Sequence, residues 1–465
     1  MPYSILVVAM AEPATYAEAI AFLESLPPKS DWTLAPVRDL CKILGFDPKT
    51  VPCILITGTN GKGSVAAFCE SAIRAAGYKT GRYISPHLVD YTERVSLDGK
   101  DVSKADFAKI ILAAKDAVLA YNQTHPETLS QFEVNTAVAL KFFLDQKIDF
   151  AILEIGMGGR LDSTNVTEPA LSVITRVSLD HTVALGDTVE KIAFEKAGVL
   201  RAGRPVITGC NGAAFEVIKK TAKENGCEVV SVGSSGAKTV ERAADFTFIE
   251  KSVSLSGTQV EVSSKLGTTI LSSGLLGSYQ CFNMAVAYAA LAKLDAQATL
   301  KIPLHAIASG FLEARWPGRL EVVSTGPLVV LDGAHNLDGA RALAESIRVL
   351  FAGKKISLVC GMMDDKDVES TVGTLAPLAA AVYAAPVAYH RTATAARVAE
   401  AARPHCPVVL EFWSAEEALG AARKHASSEE NGMALVAGSL YLVGEIKAGL
   451  AHKPFGNGLP AKNKQ

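Results

Sequence analysis

Residues 53–64 constrain the fold more than any other stretch: Cys53-Ile54-Leu55-Ile56-Thr57 is an unbroken apolar run, and Gly58-Thr59-Asn60-Gly61-Lys62-Gly63-Ser64 follows it directly. Five consecutive apolar positions without alternation suit a strand buried on both faces. The glycines permit a tight turn. Val65, Phe68, Ala72 and Ile73 then recur at helical spacing. A strand covered on both faces and joined by a short loop to a helix belongs in a parallel sheet flanked by helices, which makes the chain α/β.

Such a loop has a chemical reading as well. Its N–H groups converge where the helix dipole and Lys62 add positive potential, so residues 58–64 form a candidate cradle for a triphosphate. The spacing departs from the general G-x-x-x-x-G-K-[ST] pattern, since two residues separate Gly58 from Gly61 and a glycine stands between Lys62 and Ser64. The plainer alternative is a tight turn with no ligand.

At 465 residues the chain exceeds what one core serves, so two or three domains are expected. With 46 basic against 48 acidic residues, nucleic acid and anionic membrane surfaces are excluded as main partners, leaving small molecules. The 8 cysteines stand singly with no C-x-x-C pair, which argues against a zinc site or disulfide framework and fits a reducing cytoplasm. The apolar stretch 5–10 is too short for a secretory signal, and no run approaches the ~20 residues of a membrane span. Residues 1–14 read as an extension.

Helical spacing recurs over 16–26 and 37–44, with the irregular loop Pro27–Trp32 between. Thr80–Ile84 reads as a strand ending in Ser85-Pro86-His87-Leu88, on the side where open α/β sheets bind ligands. A lone loop histidine such as His87 favours a structural role over a catalytic one. Helices over 103–121 and through Glu133–Phe143 precede the run Phe150-Ala151-Ile152-Leu153-Glu154. An ionised carboxylate there requires a cation, either Mg²⁺ brought with ATP or a neighbour such as Arg160. After the strand 171–175 comes Asp180-His181. In the following helix Lys191 and Glu195 read as a solvated pair, and the pattern alone does not separate Lys196 from a surface lysine.

Residues 226–274 alternate weakly and suggest short antiparallel strands at the domain edge. A helix is expected from Asn283 to Leu294, with Gln280 and Asn283 either capping it or hydrogen-bonding a base. Arg315-Trp316-Pro317-Gly318-Arg319 interrupts the pattern. Strands over 320–323, 327–331, 356–360, 380–384 and 433–436 then alternate with helices, and Asp332-Gly333-Ala334-His335-Asn336 opens one of them. The expected organisation is an N-terminal domain over 15–314, a P-loop-type ATPase unit with a mostly parallel sheet and a small β-rich subregion. A linker over 315–319, a Rossmann-like α/β domain over 320–452 and a disordered tail over 453–465 complete it.

Taken in order, Gly58–Ser64, Ser85-Pro86-His87-Leu88, the run from Glu154 to Asn165, Asp180-His181, Glu195-Lys196-Ala197-Gly198, Trp316–Arg319, Asp332–Asn336 and Gly438-Ser439-Leu440 resemble the folylpolyglutamate synthase and dihydrofolate synthase branch of the Mur ligase superfamily. The resemblance covers nearly all of residues 15–450. It implies that Ser85, Glu154 and His181 ligate magnesium, with two ions expected, and that Lys62 and its loop hold the ATP phosphates. It further implies that Gln280 and Asn283 lie near the adenosine, that Arg319, Asp332 and His335 reach ATP from the second domain, and that Lys196 is carbamylated. Lys62, His181 and Lys196 would carry the catalysis. Phe132 and Asp162 would serve the pterin, and Arg391 is the candidate for the incoming L-glutamate. Where the family usually has a histidine before that glutamine, this chain has Tyr279. The implied reaction is ATP-dependent ligation of L-glutamate to dihydropteroate and to reduced folates, by a monomer. The rivals are a folylpolyglutamate synthase of single activity, a cell-wall ligase and a non-catalytic nucleotide-binding protein.

Overall fold

The structure, a computed structural model, describes residues 12–28, 33–235 and 244–452. The expected tail, residues 1–11 of the expected extension and Lys29–Trp32 of the expected loop lie outside the described residues. The first helix, Glu12–Ser25, begins inside the stretch read as an extension.

Eleven strands form the first sheet: β1 (Cys53–Thr57), β2 (Thr80–Tyr83), β3 (Val95–Leu97), β4 (Lys100–Asp101), β5 (Phe150–Glu154), β6 (Leu171–Ile174), β7 (Val206–Thr208), β8 (Val229–Ser234), β9 (Phe246–Ser254), β10 (Gly257–Ser264) and β11 (Gly267–Ser273). Their spatial order is β11-β10-β9-β8-β7-β6-β1-β5-β2-β3-β4. β1 lies parallel between β5 and β6, and its alternate residues face two separate cores. Cys53 and Leu55 pack with Tyr83, Phe107 and Phe143 on one face, whereas Ile54 and Ile56 pack with Phe68 and Phe311 on the other. That double burial is the physical reason for the unbroken apolar run.

The weakly alternating stretch 226–274 continues this sheet at its edge. Only its outer ladders, β9 with β10 and β10 with β11, are antiparallel; β8 runs parallel to both β7 and β9, which corrects the all-antiparallel expectation. The 18-residue helix Tyr279–Ala296 covers this region and starts four residues before Asn283, the expected first residue.

The second sheet comprises β12 (Glu321–Thr325), β13 (Leu328–Leu331), β14 (Lys355–Cys360), β15 (Ala379–Ala384), β16 (Val409–Glu411) and β17 (Gly432–Ala437), ordered β12-β13-β17-β14-β15-β16. Only β12 is antiparallel to its neighbour. β16 escaped the sequence reading because it is three residues long on an edge, with two of them exposed. The chain is thus two α/β units, and hydrogen bonds between loops at the C-terminal ends of their parallel strands join the two across a cleft.

Candidate active site

Four adjacent strands, in the order β6-β1-β5-β2, send their C-terminal ends to one place. Gly58 follows β1, Glu154 ends β5, Thr175 follows β6, and Ser85 lies just beyond β2. Strand order reverses at β1, so the loops diverge there and leave a crevice.

The glycine loop is held from several sides. Thr59 N–H donates to the Arg176 carbonyl at 2.6 Å, and Thr175 Oγ1 donates to the Asn60 carbonyl at 2.7 Å. Gly61 sits at φ +90°, and a Cβ there would lie 2.5 Å from Asn283 Oδ1. Left-handed backbone with a polar side chain against it admits only glycine. Gly63 answers a different demand, because its missing side chain is replaced by the Trp316 ring, 2.1 Å from where a Cβ would stand. The domain linker therefore packs on the first turn of the Lys62–Ala75 helix. That contact accounts for the glycine between Lys62 and Ser64.

Lys62 does not project freely from the loop. Its Nζ folds back onto the carbonyls of Gly58 and Thr59 at 3.0 and 3.2 Å. Burial pushes its ammonium below the ordinary lysine value, while Glu154 and Asp180 pull it back up. Glu154 is 6 % exposed, and burial raises its carboxyl to about 7 against the opposing pull of Lys62 and Arg319. The alternative partner, Arg160, is engaged elsewhere, since its guanidinium grips Glu195 with Nη2–Oε1 at 2.7 Å. Glu195 is likewise not paired with Lys191, which reaches Asp187 at 2.7 Å. The fork of Arg160 offers two donors to one carboxylate, which the lysine ammonium does not match.

Ser85 adjoins Glu154. Its backbone N–H donates to that carboxylate, and its Oγ is buried with no hydrogen-bond partner. Among the described residues, no three His, Cys, Asp or Glu side chains converge on one point. A buried carboxylate beside an orphaned hydroxyl nonetheless fits a hard cation whose remaining ligands are phosphate and water oxygens. Lys196 completes this corner: 4 % exposed, it donates to the Gly58 carbonyl at 2.9 Å. It is no surface lysine. Burial, reinforced by Lys62, lowers its amine to about 7.

His181 stands apart from Ser85 and Glu154 in its contacts. Its φ is +51°, its backbone N–H bonds Asp180 Oδ1 at 2.8 Å, and Nε2 lies 3.4 Å from Lys366 Nζ. The cleft lowers its imidazole to about 4, chiefly by desolvation, although 41 % of the side chain is open to solvent, which weakens that push. Asp180 is the hub here. It pairs with Lys366 at 2.5 Å and accepts from Asn336 at 3.1 Å, both contributed by the second unit. Asn336 also exchanges hydrogen bonds with Asn60, tying the second unit to the phosphate loop. Lys366 and Asn336 carried no distinct signal: a lysine inside Asp364-Asp365-Lys366-Asp367 reads as a solvated charge run, although it follows the end of β14.

Gln280 and Asn283 do not cap their helix, whose N-cap is Ser278. Both are buried, Asn283 donates to Gln280 at 2.9 Å, and Gln280 approaches Ser64 Oγ at 3.4 Å. Asp332 accepts from the backbone of Leu320 and Ala334 and from Tyr279 Oη at 3.1 Å. Tyr279 is thus a strut between the units. Arg319 lies with its Nη1 3.2 Å from where a Cβ on Gly333 would stand. His335 Nδ1 contacts the Gly333 carbonyl at 2.8 Å, and burial lowers its imidazole to about 4.

The Phe132 ring covers Gly156, with a ring atom 2.8 Å from where a Cβ would stand, and its centroid lies 6.2 Å from that of Tyr83. Asp162, 5 % exposed, accepts from Met157 N–H at 3.0 Å and caps the short turn Ser163–Val166. Arg391 is half-exposed, lies 5.5 Å over Tyr389 and pairs with Asp365 at 3.1 Å. His87 has structural partners, as the sequence suggested: buried, it accepts from Arg94 Nε at 2.9 Å and lies against Tyr91, the ring centroids 4.4 Å apart.

The Mur ligase middle domain matches residues 56–291, and the Mur ligase glutamate ligase domain matches residues 318–440. The chain is 32 % identical over 420 residues to the dihydrofolate synthase/folylpolyglutamate synthase of Bacillus subtilis, covering 89 % of this chain and 94 % of that protein. It is 34 % identical over 435 residues to the Escherichia coli protein of the same name, covering 92 % and 94 %. Among solved structures, Mycobacterium tuberculosis folylpolyglutamate synthase complexed with ADP superposes with a TM-score of 0.87 at 28 % identity, covering 95 % of this chain and 100 % of that one. E. coli FolC in complex with DHPP and ADP gives 0.81 at 31 % identity, covering 95 % and 99 %. Sequence, fold and strand-end geometry agree: the chain belongs to the dihydrofolate synthase/folylpolyglutamate synthase family of Mur ligases.

Proposed function

We propose that this protein uses ATP to join L-glutamate to dihydropteroate and to the glutamyl tail of tetrahydrofolates. The observation that carries the reading is the meeting of Lys62 and Lys196 on the glycine loop beside the Ser85–Glu154 pair, at the ends of four adjacent strands. The loop N–H groups and Lys62 hold the β- and γ-phosphates, and Gln280 and Asn283 lie toward the nucleoside. Arg319 and His335 approach from the second domain, and Asp332 holds that approach in register through Leu320 and Tyr279.

The acceptor carboxylate attacks the γ-phosphorus, ADP leaves, and an acyl phosphate forms. The glutamate amine then displaces phosphate from the acyl carbon to give the amide. Phosphoryl transfer of this kind needs positioning and charge stabilisation more than a protein nucleophile. Ser85 and Glu154, with His181 and the Lys196 carbamate, would hold magnesium, which when bound neutralises phosphate oxygens. Lys196 suits carbamylation because an amine lowered to about 7 is substantially neutral at physiological pH, and only the free amine adds to CO₂. That addition forms an N–C bond at the neutral amine, releases one proton and leaves an anion where the protonated lysine would be a cation. Phe132 offers the pterin an aromatic face and Asp162 its carboxylate, while Arg391 serves the incoming glutamate.

No described helix is long and apolar enough to cross a membrane. All eight cysteines are free thiols, and a monomer in the cytoplasm is the setting that fits. Phosphate release is to be measured with ATP, magnesium and glutamate, using dihydropteroate or a tetrahydrofolate as acceptor. Glutamate-dependent turnover with both supports the dual activity, turnover with the folate alone restricts the protein to polyglutamylation, and turnover with neither rejects the reading.

A further inference from the structure

A cleft of about 500 Å³ leaves the reaction centre and runs along the Lys62–Ala75 helix between the domains. Gly63, Ala67, Ser71 and Arg74 line it from one helix face, so at 1.5 Å per residue it runs roughly 16 Å along that helix. Three of those four side chains are small or absent, which is what leaves the space open. Trp316 stands over it.

Two guanidinium groups line this space, each with an Nε that has no hydrogen-bond partner. Arg82, only 11 % exposed, has a buried Nε without a hydrogen-bond partner, and its nearest carboxylate, Glu70, stands 4.0 Å from Nη1. Glu70 is already engaged, accepting from Thr80 Oγ1 at 2.8 Å and pairing with Arg74 at 3.5 Å. Arg74 Nε is likewise buried without a hydrogen bond. The Arg82 guanidinium lies 5.3 Å from the Trp316 ring centroid. Donors left unpaired away from water are unfavourable, so such a guanidinium is suited to receive an anion. A planar fork suits a carboxylate.

We infer that this cleft is the berth of the acceptor's glutamyl tail, with Arg82 as the residue that receives an α-carboxylate. The inference rests on the function proposed above. Dihydropteroate presents an aryl carboxylate, whereas a folate presents the γ-carboxylate of a glutamate, and each added unit lengthens the acceptor. All these carboxylates must reach the same Lys62 and Glu154, so the longer acceptors need a second path away from that point. Every glutamyl unit also carries an α-carboxylate that needs a cation.

The test compares kcat/KM for tetrahydrofolate mono-, di- and triglutamate and for dihydropteroate in the parent, Arg82→Met, Arg82→Lys and Arg315→Ala, the last altering an exposed residue at the rim. The ratio of triglutamate to dihydropteroate turnover is insensitive to a general folding defect. It should fall about tenfold in Arg82→Met, the loss of one charge-assisted hydrogen bond, and recover partly in Arg82→Lys. The equilibrium Kd of the triglutamate should weaken by a similar factor. An unchanged ratio and Kd would overturn the inference, as would a raised KM for free glutamate with dihydropteroate as acceptor, which would assign Arg82 to the incoming amino acid. If the parent fails to turn over any acceptor, the proposed function falls, and the triglutamate Kd still decides the cleft.

Discussion

Replacing Gly63 by alanine separates two opposed effects whose magnitudes the structure sets. Gly63 lies in the first turn of the Lys62–Ala75 helix, where exchanging glycine for alanine stabilises by about 1 kcal/mol when the site is open. The site is not open: a Cβ would stand 2.1, 2.5 and 2.8 Å from three atoms of the Trp316 ring. An indole is rigid, so the whole ring must move, and overpacking of this kind destabilises by about 1–3 kcal/mol. With contacts this short the upper end applies, and the net expectation is a loss of about 2 kcal/mol. In a Trp316→Leu background the ring is gone, and the same substitution should be neutral or stabilising by up to about 1 kcal/mol. Urea denaturation of the four proteins in the cycle reads the sign directly. Because Trp316 belongs to the domain linker, Gly63→Ala alone should also raise KM for ATP. Stabilisation by Gly63→Ala in the parent background would refute the packing argument.

Other outcomes follow from the same geometry. Lys62→Ala should abolish ATP-dependent ligation, checked by phosphate release, with a far-ultraviolet dichroism spectrum like the parent's. Lys196→Ala should be inactive and partly rescued by short carboxylates. Because the amine is lowered to about 7 and only its neutral form adds to CO₂, reactivation of decarbamylated parent at a fixed concentration of dissolved CO₂ should quicken as pH rises from 6 to 8; a flat profile would contradict this. Across the domain cleft, the cycle Lys366→Met with Asp180→Asn should give a coupling of about 2–3 kcal/mol in denaturation, as for a hydrogen-bonded ion pair with both side chains about nine-tenths buried. Asp162→Ala should impair the dihydropteroate reaction more than the folate reaction, read as the ratio of the two kcat/KM values.

The legible parts of this chain are those where one local pattern has one physical outcome. β1 was readable residue for residue because a strand covered on both faces must be apolar throughout, and the glycines after it mark the loop. Glu154 was readable for the converse reason, a carboxylate placed where only a cation makes it tolerable. What escaped were features decided by partners distant in sequence. Lys191 and Glu195 have good helical spacing, yet Arg160, 35 residues away, wins the carboxylate by its geometry. Gln280 and Asn283 looked like caps because the helix start was placed four residues late, and the helix was extended by packing over β8–β10 rather than by its own capping. Lys366 lies 186 residues from Asp180, and no periodicity carries that information.

This division has a functional logic. The proposed phosphate cradle lies within one strand-loop-helix unit, so a short local pattern encodes it and survives reading. Other contacts are assembled between units: Asn60 with Asn336, Asp180 with Lys366, Gly63 with Trp316, Tyr279 with Asp332. Each of these four pairs joins a group at the nucleotide loop or its flanks to one on the linker or the second domain. Movement of the second domain would therefore change the loop's surroundings at several points together. An acyl phosphate is destroyed by water, and a site completed only when both units are docked shields that intermediate during the interval when the amine must arrive. The contacts that the sequence conceals are thus the ones through which closure would be coupled to the proposed chemistry.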